Sequence, residues 1–163
     1  MIQPEQVSIE PVLAAQYSTG CGTDPNEIAA AMGKAFESIH QFTSSHELRF
    51  AGPPRSIYTG YDAEGTEFTV AVPIAAAPAG GTGESEVTVG EIPGGQALRF
   101  IHKGPYPKLM ETYQQISEWM KDQGMLKSDA DWAKYMPMWE EYLNDPDSTP
   151  EEELITHIYV PVR

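Results

Sequence analysis

The sequence predicts an α+β fold: duplicated β-α-β-β units forming one antiparallel sheet, with two helices on one face and a ligand cleft on the other. Three observations lead to that expectation. Two segments carry apolar residues at helical spacing, each flanked by short segments of strand character. The order of elements before the glycine-rich break Pro78-Ala79-Gly80-Gly81-Thr82-Gly83-Glu84 returns after it. Both halves also close on nearly the same tripeptide, Val72-Pro73-Ile74 and Val160-Pro161-Val162. The reading is a single domain over residues 1–163, made of pseudo-repeats at about 5–76 and 86–163 joined by a linker at 77–85. Two such units usually share one sheet, and its face away from the helices then calls for loops, a partner or a ligand.

In the first half, Val7 to Tyr17 has the spaced apolar residues of a strand. A helix start follows at Asp24-Pro25-Asn26-Glu27, where Asp24 can cap, Pro25 suits the first helical position and Glu27 falls three residues after the cap. Ile28, Met32, Phe36 and Ile39 then lie on one helical face. After Gly52-Pro53-Pro54, two short strands at Arg55 to Gly60 and Glu67 to Ile74 are joined by Asp62-Ala63-Glu64-Gly65. In the second half, Val87 to Ile92 and Gln96 to His102 read as strands broken at Pro93-Gly94-Gly95. Gly104-Pro105-Tyr106-Pro107 opens a helix with Leu109, Tyr113, Ile116 and Met120 on one face and Gly124 at its end. Met136 to Leu143 and Leu154 to Val162 complete the set of strands around the acidic turn Asn144-Asp145-Pro146-Asp147.

Composition narrows the function. Ten Lys+Arg against 24 Asp+Glu give 10 − 24 = −14, a charge that repels phosphate backbones and anionic lipid and favours cationic partners. The 40% hydrophobic content supports a packed core, so disorder is not expected. No apolar run approaches the roughly 18 residues of a membrane span, and the N-terminus lacks the basic and apolar regions of a signal peptide. The expectation is a cytoplasmic protein that touches neither nucleic acid nor membrane directly.

Most catalytic signatures are missing. His40, His46, His102 and His157 do not fall at metal-ligand spacing, and a single cysteine, Cys21, makes neither a disulfide nor a cysteine-based zinc site, so neither metal nor cofactor is expected. No Gly-x-Ser-x-Gly elbow is present, and the glycines at 80–83 lack the Lys-Ser/Thr of a phosphate loop. Cys21 reads more simply as a small loop residue than as a stabilised thiolate.

The informative segment is Trp132 to Tyr142. Strand alternation places Met136, Met138, Glu140 and Tyr142 on one face and Pro137, Trp139, Glu141 and Leu143 on the other, and the second set suits packing against the helices. Glu140 is then either a solvated charge at a strand end or a carboxylate in an aromatic setting that protonates or awaits a cation. Aromatic faces around an acid hold lipophilic cations by stacking, cation–π attraction and charge pairing. Tyr17, Tyr58, Phe68 and Tyr106 supply such faces, and Met136 and Met138 supply adaptable walls.

Several stretches together resemble the GyrI-like small-molecule-binding domain over almost the whole chain. They are Gly90-Glu91-Ile92-Pro93-Gly94-Gly95 through His102-Lys103-Gly104-Pro105-Tyr106, Trp139-Glu140-Glu141-Tyr142-Leu143-Asn144-Asp145-Pro146, and Glu152-Glu153-Leu154-Ile155-Thr156, with Gly52-Pro53-Pro54 to Tyr58 and Phe68 to Pro73 fitting as well. The resemblance implies a pseudo-symmetric pair of β-α-β-β units with a ligand cleft. It also implies kinship to the effector-sensing halves of AraC-type and MerR-type multidrug regulators, where a pocket glutamate meets cationic aromatic drugs. That glutamate matches Glu140, two residues before Tyr142.

The leading expectation is a stand-alone binder of hydrophobic, aromatic, often cationic small molecules. Glu140 would be its counter-charge, and Tyr142, Tyr106, Tyr58, Tyr17, Phe68, Met136 and Met138 its walls. The resemblance also implies a second reading, a hydrolase of electrophilic cyclopropane-type toxins, with Glu140 as general base and Tyr106 or Tyr142 as donor to the developing charge. A third is an inhibitor acting on a protein partner such as gyrase, for which the acidic run Glu151-Glu152-Glu153 is suggestive.

Overall fold

The computed structural model describes residues 2–61, 64–80 and 85–162. The middle of the expected linker, and Asp62 and Ala63 of the expected turn, lie outside those residues. Eight strands form one antiparallel sheet: β1 (Glu5–Ile9), β2 (Val12–Cys21), β3 (Arg55–Tyr61), β4 (Thr66–Pro73), β5 (Thr88–Ile92), β6 (Gly95–Lys103), β7 (Met138–Tyr142) and β8 (Ile155–Pro161). Helix α1 (Pro25–Ser45) follows β2, and α2 (Leu109–Asp122) follows β6. Both helices lie on one face of the sheet, as expected, and each half contains the β-α-β-β run.

Local chemistry accounts for the helix ends. The Asn26 amide donates to Asp24 Oδ1 at 2.8 Å, so Asp24 caps α1. Gly124, just past α2, has φ 74°, the left-handed conformation that glycine adopts without steric cost. The start of α2 differs from the expectation. Tyr106–Lys108 form a separate 3-10 turn, which places Tyr106 beyond the end of the helix proper.

The order across the sheet is β1-β6-β8-β7-β3-β4-β2-β5. The two halves meet at its centre, where β3 pairs with β7. The single strand expected over Val7 to Tyr17 is instead two strands in opposite halves of the sheet, β1 at one edge and β2 next to the other. β1 pairs with β6 and β2 with β4 and β5. Pro11 in the break has no N–H for a ladder bond, and Pro93 stands in the matching break between β5 and β6. Each half therefore lends its first strand to the other's edge.

Those two connections pass each other at Gly94. A Cβ there would collide with the Ile9 carbonyl oxygen and stand 2.9 Å from the Pro11 nitrogen, both backbone atoms that have little room to yield. Two cores result. Ala35, Ile39 and Phe42 of α1 pack on Tyr17, Phe68, Val70 and Val72, and Ile116 and Met120 of α2 pack on Phe100, Met138, Ile158 and Val160.

Gly94→Ala should lower stability by about 2–3 kcal/mol in urea denaturation. Gly80→Ala, where an added methyl meets nothing within 4 Å, should leave it within about 0.5 kcal/mol. Equal effects from the two would remove the crossing as a constraint.

Candidate functional site

Strand β7 alternates as expected, but its faces are reversed relative to the helices. Met138, Glu140 and Tyr142 point to the helix-bearing face: Glu140 accepts from Tyr113 of α2, and Tyr142 meets Phe36 of α1 edge-on with ring centroids 6.3 Å apart. Trp139 and Glu141 point the other way, where Trp139 stacks on Tyr159 at 5.0 Å. The carboxylate thus lies in the gap between the helices, and not on the opposite face where the sequence reading put the cleft. Alternation fixes which residues share a face, but it carries no information about which face the helices choose.

Glu140 is 4% exposed. Tyr113 donates to Glu140 Oε2 at 2.5 Å and Tyr142 donates to Oε1 at 2.7 Å. Tyr58 of β3 adds a weaker interaction with the same carboxylate. The Tyr142 hydroxyl also stands 3.0 Å from Ser56 Oγ and 3.7 Å from Met32 Sδ. Each phenol-to-carboxylate bond is worth about 1.5–3 kcal/mol, because its acceptor is ionised. Among the described residues no Lys or Arg forms an ion pair with Glu140.

Burial pushes the Glu140 carboxyl above the ordinary carboxylate range. The hydroxyls of Tyr113, Tyr142 and Tyr58, and the nearby His102, pull it back without cancelling the rise. The three phenols are in turn held well above their usual range, first by burial and then by the Glu140 charge. They therefore stay protonated and keep donating.

Of the residues singled out in the sequence, the structure brings together Glu140, Tyr142, Tyr58 and Tyr106. Tyr106 is half-buried, and its ring meets Tyr142 edge-on with centroids 5.6 Å apart. Phe68 stands behind Tyr58 at 6.0 Å and belongs to the first core. Tyr17 is buried in that core with its hydroxyl donating to Glu86 Oε2 at 3.3 Å, away from Glu140. Met138 is paired in register with Tyr58 but packs in the second core, and Met136, just before β7, packs against that core too.

Tyr113, Ser56, Met32 and Phe36 were not assigned to the site. Tyr113 and the α1 pair read as core stripes, yet a tyrosine on a core-facing stripe needs a partner for its hydroxyl, and that was the available signal. Among the described residues, no group of three or more His, Cys, Asp or Glu is arranged to hold a metal, and no helix is long and apolar enough to cross a membrane.

A buried acid ringed by phenols thus lies between two helices on one antiparallel sheet. The match to the GyrI-like small molecule binding domain spans residues 3–163, and the chain belongs to that family. No curated protein matches it. Among solved structures it is similar to the C-terminal domain of EcmrR at 18% identity, with a TM-score of 0.76 and coverage of 100% of this chain and 98% of that one. It is similar to SAV2435, solved bound to tetraphenylphosphonium, at 12% identity, with a TM-score of 0.64 and coverage of 99% and 94%. A hydrolase from Listeria innocua matches at 14% identity, with a TM-score of 0.61 and coverage of 99% and 92%. At these identities the likeness is one of fold.

The raised carboxyl sets the sign of a pH effect. Between the unfolded and folded values of Glu140 the native state holds a proton that the unfolded state has lost, so stability falls as pH rises through that window. Glu140→Gln should therefore be more stable than the parent at neutral pH, with the difference closing as pH falls below the ordinary glutamate value. Thermal melts of both proteins from pH 4 to pH 8 check this, and a constant offset would contradict it. Tyr113→Phe should cost about 1.5–3 kcal/mol and move the carboxyl still higher, as read by carboxyl-carbon NMR.

Proposed function

We propose that this chain binds hydrophobic, aromatic, cationic small molecules in the cytoplasm, with Glu140 as the counter-charge. One observation supports this reading above the others: Glu140 is 4% exposed, yet its partners are neutral phenols and none is a lysine or arginine among the described residues. Desolvating a carboxylate without a cation is costly, and an incoming cation would relieve that cost. The rings of Tyr58, Tyr106, Tyr142 and Phe36 would offer faces and edges to a flat or propeller-shaped ligand. Met32, in contact with the Tyr142 hydroxyl, would adapt to ligands of different outline. The tetraphenylphosphonium bound to SAV2435 is a ligand of this chemistry on a related fold.

Entry requires movement. The Tyr106 ring rests on Tyr142, and the cleft of about 460 Å³ outside α2 does not include Glu140 in its walls. We take the 3-10 turn carrying Tyr106 as the element that shifts.

Titration calorimetry with tetraphenylphosphonium should show binding that weakens by about 1–3 kcal/mol in Glu140→Gln. Affinity should also fall as pH is lowered, with a midpoint above that of an ordinary glutamate, because the protonated acid no longer attracts the cation. Binding indifferent to both changes would overturn the reading. Turnover of an electrophilic cyclopropane that is lost in Glu140→Gln would replace it with the hydrolase reading.

A further inference from the structure

The helix-bearing face holds one hydroxyl that folding does not explain. Thr156 of β8 is 0% exposed, and its Oγ1 has no hydrogen-bond partner. The other buried hydroxyls in the described residues are engaged: Thr43 donates to the His40 carbonyl, Thr66 to the Gly60 carbonyl, Thr112 pairs with His102, and Ser56 lies against Tyr142. An unmade bond at a buried hydroxyl costs stability. Valine has the same outline and the same liking for strands, so the position would fold at least as well without the oxygen.

Its position relates the oxygen to the site. In register, Thr156 stands between Tyr142 on β7 and His102 on β6, and it is the diagonal neighbour of Glu140, which faces Ile158. That diagonal places the two Cβ atoms roughly 7–8 Å apart, within the span of one small aromatic ligand. Over Tyr142 and His102 runs the Gly104–Lys108 segment: Tyr106 touches the Tyr142 ring, and the Pro105 carbonyl lies 3.1 Å from His102 Nε2. A carbonyl oxygen only accepts, so Nε2 carries a proton, and Nδ1 lies 2.6 Å from Thr112 Oγ1.

We infer that Thr156 and His102 form a hydrogen-bonding subsite beside Glu140, which selects cations bearing a carbonyl-type acceptor. This rests on the cation-binding reading. When the Tyr106 segment moves aside, the Thr156 hydroxyl and the His102 Nε2–H that Pro105 had held become two donors converging on a ligand oxygen. The charged end of the ligand goes to Glu140, and the oxygen goes to Thr156.

The test uses two ligands of one shape, 4-isopropylphenyl-triphenylphosphonium and 4-acetylphenyl-triphenylphosphonium, titrated into the parent, Thr156→Val and Thr156→Ser. The parent should prefer the acetyl compound. Thr156→Val should lower that preference about 2- to 12-fold, the worth of one hydrogen bond in affinity, while Thr156→Ser should restore most of it. The melting temperature of Thr156→Val should equal or exceed that of the parent. A parent that binds neither compound overturns the cation-binding reading and the subsite with it. A parent that binds both, with a preference unmoved by Thr156→Val, overturns the subsite alone. So does a Thr156→Val protein that melts well below the parent or fails to fold, since the hydroxyl would then be satisfied within the fold by a buried water.

Discussion

The pairing of β3 with β7 is the constraint on which the rest of the molecule depends. It is where the two halves of the sheet join, with Ser56 opposite Glu140 and Tyr58 opposite Met138. Each helix covers the strands of its own half: α1 packs on β2 and β4, and α2 on the side of β6 and β8. The seam is left between them. Side chains that rise from it on the helix-bearing face lie where the two cores meet: Met138 joins the second core and Tyr58 packs against the first, with Glu140 beside them. An acid and its phenols can occupy that position, whereas a polar cluster under the middle of a helix would have to displace a packed core.

Two neighbouring carboxylates show how strongly the surroundings decide chemistry. Glu141 faces away from the helices, where Arg55 Nε is 3.5 Å from it, Tyr159 donates to it at 3.2 Å and His157 lies 3.8 Å away. It has cationic company and little left to attract. Glu140, one residue earlier, accepts from phenols and forms no ion pair with Lys or Arg among the described residues. One step along the strand separates an ion-paired carboxylate from one held by hydroxyl groups. By lending β1 and β5 to opposite halves, the strand exchange at the sheet edges ties both flanks together, so that the seam is held from two sides.

Much of this was legible in the residues. The caps and stripes of the helices, the strand segments and the repeated element order follow from local rules, and Asp24 and Gly124 behave as those rules require. The period of two on β7 put Glu140 and Tyr142 together correctly. Tyr17 shows the limit of such reasoning. It has the composition of a pocket aromatic and lies in a strand, but β2 carries it into the first core, and its hydroxyl turns to Glu86. Tyr113 shows the converse, a residue of a core stripe whose hydroxyl ends on the acid.

What the sequence by itself determined is what depends on neighbours a few residues away: where helices begin and stop, which side chains share a strand face, and that the chain carries an acid amid aromatics. The tertiary structure alone decided which sheet face the helices cover, that the strand expected over Val7 to Tyr17 divides at Pro11 into strands in opposite halves of the sheet, and which three tyrosines converge on Glu140. The physical reason is that these outcomes depend on contacts between residues far apart in the chain. Tyr113 and Glu140 are 27 residues apart, and Tyr142 and Ser56 are 86 apart. Alternation and helical periodicity act over a few residues only, and they leave the pairing of distant strands to the packing of the whole.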